Sequence, residues 1–531
     1  MISKLIRLQK KIKAAKGKLP KEFGCLYELR LPVIGLLIFL AGFLELLRLG
    51  KTAGDALFFT LVMFLGNYGE ENVGGTLTVV RILALGLVGI TFISILKEQI
   101  DDLILRLYVS DAHSIVVIGD NEWSQKLETE DSGYSMILRK AEDRFLKAHT
   151  YILLDREAVN LEYYSRYGKQ FSEIGARVYI CADHLPGVIM MDGNTMIFSR
   201  MELTARKYWD GHLLYDAWKE ASEAENGEVL VDIIGGGHLA EELLYFAVQK
   251  NIFASDQRIR YHLFGASEEY CLLHGNLEDL GITLHWEEWY RHPDLIRRAS
   301  RVIIASEEQE TELVQMIRSF EPQIPVHVVS MHGYTKKLYE ENRTFDKGAA
   351  ILPEVWSLLR TDGSGTLTDW ILQDDVLALA RNINWEYVKD STAPQTETSE
   401  KREKRTLQEK AEYEKKQKEK AWSELGTFTK YSNLSAADFY QTLKIIEEKE
   451  SRRLSDARAG ELEHIRWSNY HRMNRWVYDA ELRKKPSGSR KNKALRRHGD
   501  LVPYGELEDF EQENDIRNIR LVRKLKEEQE Q

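Results

Sequence analysis

Two long apolar runs constrain this chain more than any other feature. Leu31 to Leu49 reads LPVIGLLIFLAGFLELLRL, and Leu77 to Leu96 reads LTVVRILALGLVGITFISIL. Each is close to the roughly 20 helical residues that span about 30 Å of hydrocarbon. The first thirty residues carry nine Lys or Arg against two Glu. No small-residue cleavage site follows the first run, so it reads as an anchor and not as a secretory signal. The positive excess places the N-terminus in the cytoplasm, and the second run returns the chain there after Lys97. The expectation is a multi-pass protein of a bacterial inner membrane with both termini cytoplasmic. With 29% charged residues over 531 positions, most of the chain is no polytopic transporter. A net charge of -10 argues against nucleic acid as a partner. Cys25, Cys181 and Cys271 are too scattered for a disulfide framework or a zinc spacing, and no metal-ligand set is read from the sequence.

Between the runs lies Asp55 to Leu65, DALFFTLVMFL, too short to cross a bilayer as a helix. At membrane depth such a segment is expected to be re-entrant. The loop Leu65-Gly66-Asn67-Tyr68-Gly69-Glu70 follows, then Glu71. Glycines there permit an extended backbone whose carbonyls can face an ion. Helix, half-helix, Gly-rich acidic loop and helix together resemble the two-transmembrane pore module of the potassium-channel superfamily over 31–100. Tyr68, Gly69 and the acidic Glu70 match the family's filter, whereas its threonine is gone and its first glycine is displaced. The resemblance implies a pore for inorganic cations that discriminates potassium poorly. A hairpin that only anchors the chain is the competing reading.

Alternating strands and helices follow. Ser114 to Gly119, Tyr151 to Asp155 and Ala176 to Ala182 read as strands of one unit, 112–210. Asp155 ends a strand at the position that can hold a ribose hydroxyl. The turn Gly119 to Ser124 lacks the later glycines that cradle a pyrophosphate, and Glu122 would repel one. A second unit, 228–331, opens with Val229 to Ile234 and the turn Gly235-Gly236-Gly237-His238-Leu239-Ala240. Gly235, Gly237 and Ala240 fit a Gly-x-Gly-x-x-Ala dinucleotide turn, or serve only tight strand-to-helix packing. Two such units behind a pore-like module resemble the regulator-of-potassium-conductance (RCK, TrkA-N) arrangement. That resemblance implies a homotetramer with a cytoplasmic ring of Rossmann units.

Residues 332–368 read as a linker. From there to 525 the chain is expected to be all helical, with a charged insert at 397–420. Leu379 to Tyr387, Trp422 to Leu425, Leu462-Glu463-His464-Ile465-Arg466-Trp467, Asn474-Arg475-Trp476 and His498 to Tyr504 resemble the ryanodine-receptor repeat (RyR) domain over 369–525. Bacterial members of that family are thought to sense nucleotide-derived signals. Glu463, Arg466 and Trp467 stand three and four residues apart, which groups carboxylate, guanidinium and ring. Arg483 to Arg497 holds eight basic residues and no acidic one. Glu463, His464, Arg466, Trp467, Trp476 and His498 are thus the candidate site for a small anionic, base-containing ligand. A cyclic nucleotide or an ADP-ribose derivative has that chemistry. No nucleophile–base pair is evident, so the module reads as a binder and not as an enzyme. The whole reads as a multidomain ligand-gated cation channel: basic segment 1–30, pore module, two α/β Rossmann-like units, linker and RyR-like sensor. The resemblances place it in stress or antiphage signalling. A membrane-tethered scaffold without a conducting pore is the alternative.

Overall fold

A computed structural model describes residues 22–65, 75–89, 91, 109, 111–184, 194–225, 227–275, 277–305, 310–341, 353–360, 365–392 and 407–530. The expected filter residues Gly66, Asn67, Tyr68, Gly69 and Glu70 lie outside these, as does the part of the charged insert before Leu407. The chain divides into two compact units, residues 1–108 and 109–531.

The first unit contains α1 (Glu22–Arg48), α2 (Ala53–Phe64) and a helix α3 over 75–89. Thr52 starts α2 as its cap, accepting the Asp55 N–H and donating to the Asp55 carboxylate at 2.7 Å. A small core of Ile38, Leu46, Ala56, Met63, Leu77, Val80 and Ala84 joins the three helices. Gly42 sets their spacing, because a side chain there would meet Met63 Cε at 2.8 Å and Val80 Cγ1 at 3.2 Å. Outside this core the helices expose large apolar side chains, among them Leu37, Leu44, Phe58 and Ile82, each more than 60% exposed. Among the described residues no helix is both long and apolar enough to cross a membrane. The described side chains of α1 run from Ile34 to Arg48, roughly 22 Å at 1.5 Å per residue.

In the second unit two parallel sheets carry the α/β part. The first contains β1 (Ser114–Ile118), β2 (Ser135–Arg139), β3 (Thr150–Leu153), β4 (Arg177–Cys181) and β5 (Thr195–Phe198), in the order β2-β1-β3-β4-β5. Helices α4 (Glu122–Thr129) and α5 (Glu157–Ile174) join its strands, and α6 (Arg200–Gly211) and α7 (Tyr215–Glu223) leave it. The second sheet contains β6 (Val229–Ile234), β7 (Ile259–Phe264), β8 (Ile282–His285), β9 (Arg301–Ile304), β10 (Val326–Val329) and β11 (Glu354–Trp356). Its order, β11-β10-β9-β6-β7-β8, is the doubly wound Rossmann order. Helices α8 (His238–Lys250), α9 (Glu268–Leu273), α10 (Pro293–Arg298), α11 (Glu310–Phe320) and α12 (Gly333–Glu341) accompany it. Strands such as SIVVI and VLVDII are buried along their whole length, the pattern of parallel strands covered on both faces.

Three boundaries differ from expectation. Strands β2 and β5 are short and carry polar residues at their starts, which hid them among loops. Residues 332–368 are no free linker: they supply α12 and the edge strand β11, whose Glu354 pairs in register with His327. The C-terminal part is not purely helical. Helices α13 (Leu367–Leu372), α14 (Asp374–Thr392), α15 (Leu407–Ser423), α16 (Thr427–Glu450), α17 (Asp456–Met473), α18 (Ala480–Arg483) and α19 (Asp509–Glu530) surround three two-residue strands. These are β12 (Val477–Tyr478), β13 (Lys491–Asn492) and β14 (Arg497–His498), ordered β12-β14-β13. Two-residue strands are too short to show periodicity.

The helical part is fastened to both sheets. The Glu130 carboxylate accepts the Leu367 and Thr368 N–H groups and so caps α13 from the first sheet's side. Lys250 is buried between Asp210 of α6 and Asp438 of α16, with Asp438 at 2.6 Å. Asn469 of α17 donates to the Val248 carbonyl of α8 at 2.7 Å.

Candidate functional site

A cavity of about 1070 Å³ opens where the two α/β units meet the helical part. Its walls come from β5 and α6, from α8, from α14, α16 and α17, and from the loop that carries β13 and β14. Ser455 caps α17 by accepting the Arg458 N–H. Gly460 lets α19 approach, since a side chain there would meet Ile516 Cγ1 at 2.9 Å. This fixes the face of α17 that turns into the cavity.

All six residues expected in the helical part line this cavity. Their roles differ from one another. Arg466 is 1% exposed and bidentate to Glu463, with Nε at 2.8 Å and Nη2 at 2.7 Å. Its Nη1 donates to Ser435 Oγ at 2.9 Å. The guanidinium is therefore committed to the protein, and the expected phosphate fork is a structural clamp between α17 and α16. Charge-assisted pairs of this kind offset burial only while both partners are present. His464 contacts the Val502 carbonyl at 2.9 Å and Asp515 at 3.3 Å. Burial works against its charged form, but Asp515 outweighs that and lifts the pKa above the ordinary value.

Aromatic rings form one wall. Trp467 lies 4.1 Å from His471 between ring centres, and Trp476 stacks on Phe428 at 5.2 Å. His498 meets Trp467 edge-on at 5.0 Å. Burial holds His471 neutral, with its pKa pushed down to about 3, and does the same to His498, down to about 4. Trp476 is buried and supports the wall, while Trp467 is half-buried and reaches the open space.

The basic strip divides in two. Arg483 pairs with Asp500 at 2.6 Å and Glu511 at 3.0 Å, and the buried Arg490 joins Glu511, Glu508 and Asp500. Those arginines hold the loop together. Lys491 and Lys493 line the cavity and pair with no carboxylate among the described residues. Arg496, beside them, turns its guanidinium to the Asn474 carbonyl, with Nη1 donating at 3.1 Å.

The cavity is also lined by residues that the sequence reading missed. Glu202 of α6 and Glu242 of α8 line the cavity floor with Tyr245, Tyr431 and Tyr387. Burial raises both carboxyl pKa values, that of Glu242 to about 8. Burial and the neighbouring Glu202 and Glu241 thus favour the neutral form of Glu242. One signal was available: Glu242, Tyr245 and Gln249 recur at helical spacing on α8, a helix otherwise rich in buried apolar residues.

The dinucleotide-like turns lie apart from the cavity. Gly235 and Gly237 have φ of 147° and 113°, and a side chain at Gly236 would strike the Gly265 carbonyl at 2.8 Å. These glycines bring two strand-to-helix turns into contact, and Ala240 is buried in the core behind them. Asp155 is tied to its own surroundings: its carboxylate accepts the Arg156 N–H at 2.7 Å, and its main chain bonds both ends of the Asn160 amide. Glu122 accepts the Gly333 N–H at 3.1 Å, so the turn after β1 is tied to the connection that follows β10.

No family model matches the chain, and no curated protein matches it.

Proposed function

We propose that this chain is a ligand-gated cation channel whose cytoplasmic body senses a small anionic, base-containing molecule. The observation that carries the reading is the cavity shared by both α/β units and the helical part. Its volume is at the upper end of the roughly 300–1,000 Å³ usual for ligand pockets. Its lining is chemically mixed. Lys491, Lys493 and Arg496 suit phosphate oxygens, and Trp467 offers a ring for stacking. Glu242, whose neutral form burial favours, and the tyrosines suit the polar edge of a base. A cyclic nucleotide or an ADP-ribose derivative has both ends. A ligand touching α6, α8 and α17 together favours one arrangement of these elements over another, which is what gating requires.

The membrane part of the proposal rests on the two apolar runs and on the outward apolar side chains of the first unit, which need lipid or other chains to cover them. The filter-like loop with Glu70 and Glu71 supplies acidic rings in a homotetramer, favouring cations. The likeness to RCK and RyR modules, the tetramer and the inner-membrane location belong to this proposal.

The test uses the full chain in planar bilayers, with small molecules that co-purify identified by mass spectrometry. Unitary cation currents that follow addition of the identified molecule are expected. The paired variant Lys491→Ala, Lys493→Ala should raise the concentration needed by roughly 10- to 100-fold, the loss of 1.4–3 kcal/mol. A tetramer that binds the molecule and passes no current would favour the tethered-scaffold reading.

A further inference from the structure

Away from the cavity, His212, His327 and Glu354 place one ligand atom each within 4.8 Å of one another. Their sequence separation hides them, but the fold brings them together for stated reasons. His212 ends α6, His327 lies in β10, and Glu354 is its register partner on the edge strand β11. His327 is 8% exposed, while Glu354 reaches solvent.

The hydrogen bonds orient both rings. His212 Nδ1 lies 2.8 Å from the Tyr208 carbonyl, which can only accept, so Nδ1 must donate. In the neutral ring Nε2 is then a lone pair, and it faces Glu354 Oε1 at 2.6 Å. Two acceptors at that distance require a cation between them. His327 Nδ1 meets the Tyr208 hydroxyl at 3.0 Å, which leaves its Nε2 toward Glu354 Oε2 at 3.7 Å. Metal-binding histidines are held in this way, the far ring nitrogen fixed by an outer partner. Arg301 is the neighbouring cation. Its Nη1 is turned to the His212 carbonyl at 2.6 Å, and its charge weakens a metal here without occupying the site.

We propose that His212, His327 and Glu354 bind one divalent transition ion of the zinc class, with water completing the shell. Two imidazoles and one carboxylate with an open position suit such an ion. The ligand atoms bind in their deprotonated form, so any proton held there leaves to solvent. The ion would pin the edge strand β11 to the end of α6, a helix whose other residues, Glu202 and Arg206, line the cavity.

The full chain, stripped with chelator, should take up one Zn²⁺ per chain, and Co²⁺ in its place should give the visible absorption of a tetrahedral nitrogen–oxygen site. Glu354→Gln and His212→Gln should each weaken binding at least about 100-fold. Tyr208→Phe, which leaves every ligand in place, should weaken it about 10-fold. Loss in the ligand variants with unchanged thermal unfolding of the stripped protein supports the site. Equal Co²⁺ isotherms for the unmutated chain and Glu354→Gln would overturn it and leave a hydrogen-bonded pair only.

Discussion

Removing the Arg466 side chain leaves Glu463, itself 4% exposed, buried without its partner. Such losses cost about 3–5 kcal/mol. Arg466→Ala should therefore lower the unfolding midpoint in urea sharply, and any weakening of ligand binding should follow from that loss of structure. Paired replacement of Glu463 and Arg466 by Gln and Met should recover part of the stability. A stable Arg466→Ala protein that only binds its ligand poorly would return the guanidinium to a direct ligand role. Asp232 poses the opposite case. It sits in β6, fully buried, and among the described residues neither carboxylate oxygen has a hydrogen-bond partner. Burial raises its pKa to about 7. A carboxyl raised in the folded state stabilises below its unfolded pKa of about 3.8 and loses that contribution as pH rises through about 7. Asp232→Val, nearly isosteric and suited to a strand, should raise stability by roughly 2–4 kcal/mol at pH 8. Near pH 4 most of that gain should vanish. Chemical denaturation at the two pH values checks the sign, and a gain independent of pH would mean that burial is not its cause.

At the scale of elements, the strands with continuous branched runs could be read directly from the sequence. Ser114 to Ile118, Val229 to Ile234 and Val326 to Val329 carry their burial in their composition. Strand β11 could not be read this way, because EVW has no periodicity and only its place beside β10 makes it a strand. The candidate site was legible on one side only. Phrases such as Leu462 to Trp467 mark α17, but Glu202 and Glu242 come from helices of two other units and meet it through tertiary packing alone. The glycine turn illustrates the same limit. Its spacing fits phosphate binding and packing equally, whereas Gly236 against the Gly265 carbonyl at 2.8 Å identifies a backbone contact. Gly236→Ala forces two main-chain turns apart and should destabilise the second sheet by about 1–3 kcal/mol. Hydrogen exchange should show the loss concentrated in β6 and β7. An unchanged protection pattern would mean that the turns have room to separate.

For the whole molecule, the two compact units, 1–108 and 109–531, differ in where they put their apolar side chains. The second unit has a continuous core that runs from Ile115 in the first sheet through Leu243 and Ile303 to Leu462 and Ile519 in the helical part. Its large apolar side chains are mostly inside. Among its described residues the first unit has a core of seven and turns Leu36, Leu37, Leu44, Phe58, Leu61 and Ile82 outward. An outer surface of that kind is stable in lipid or against other chains and is a liability in water. The two units should therefore separate by solvent. A fragment from Val109 to Gln531 should express without detergent and unfold cooperatively, because no element of its core is removed. It should keep the cavity and the His212–His327–Glu354 cluster, all of whose residues lie within it. The full chain should sediment with membranes and require detergent for extraction. Fractionation of cells expressing each form, followed by thermal unfolding of the fragment, decides the matter. A fragment that aggregates while the full chain stays in the soluble fraction would place the apolar face of the first unit against the body, and the membrane reading would fall with it.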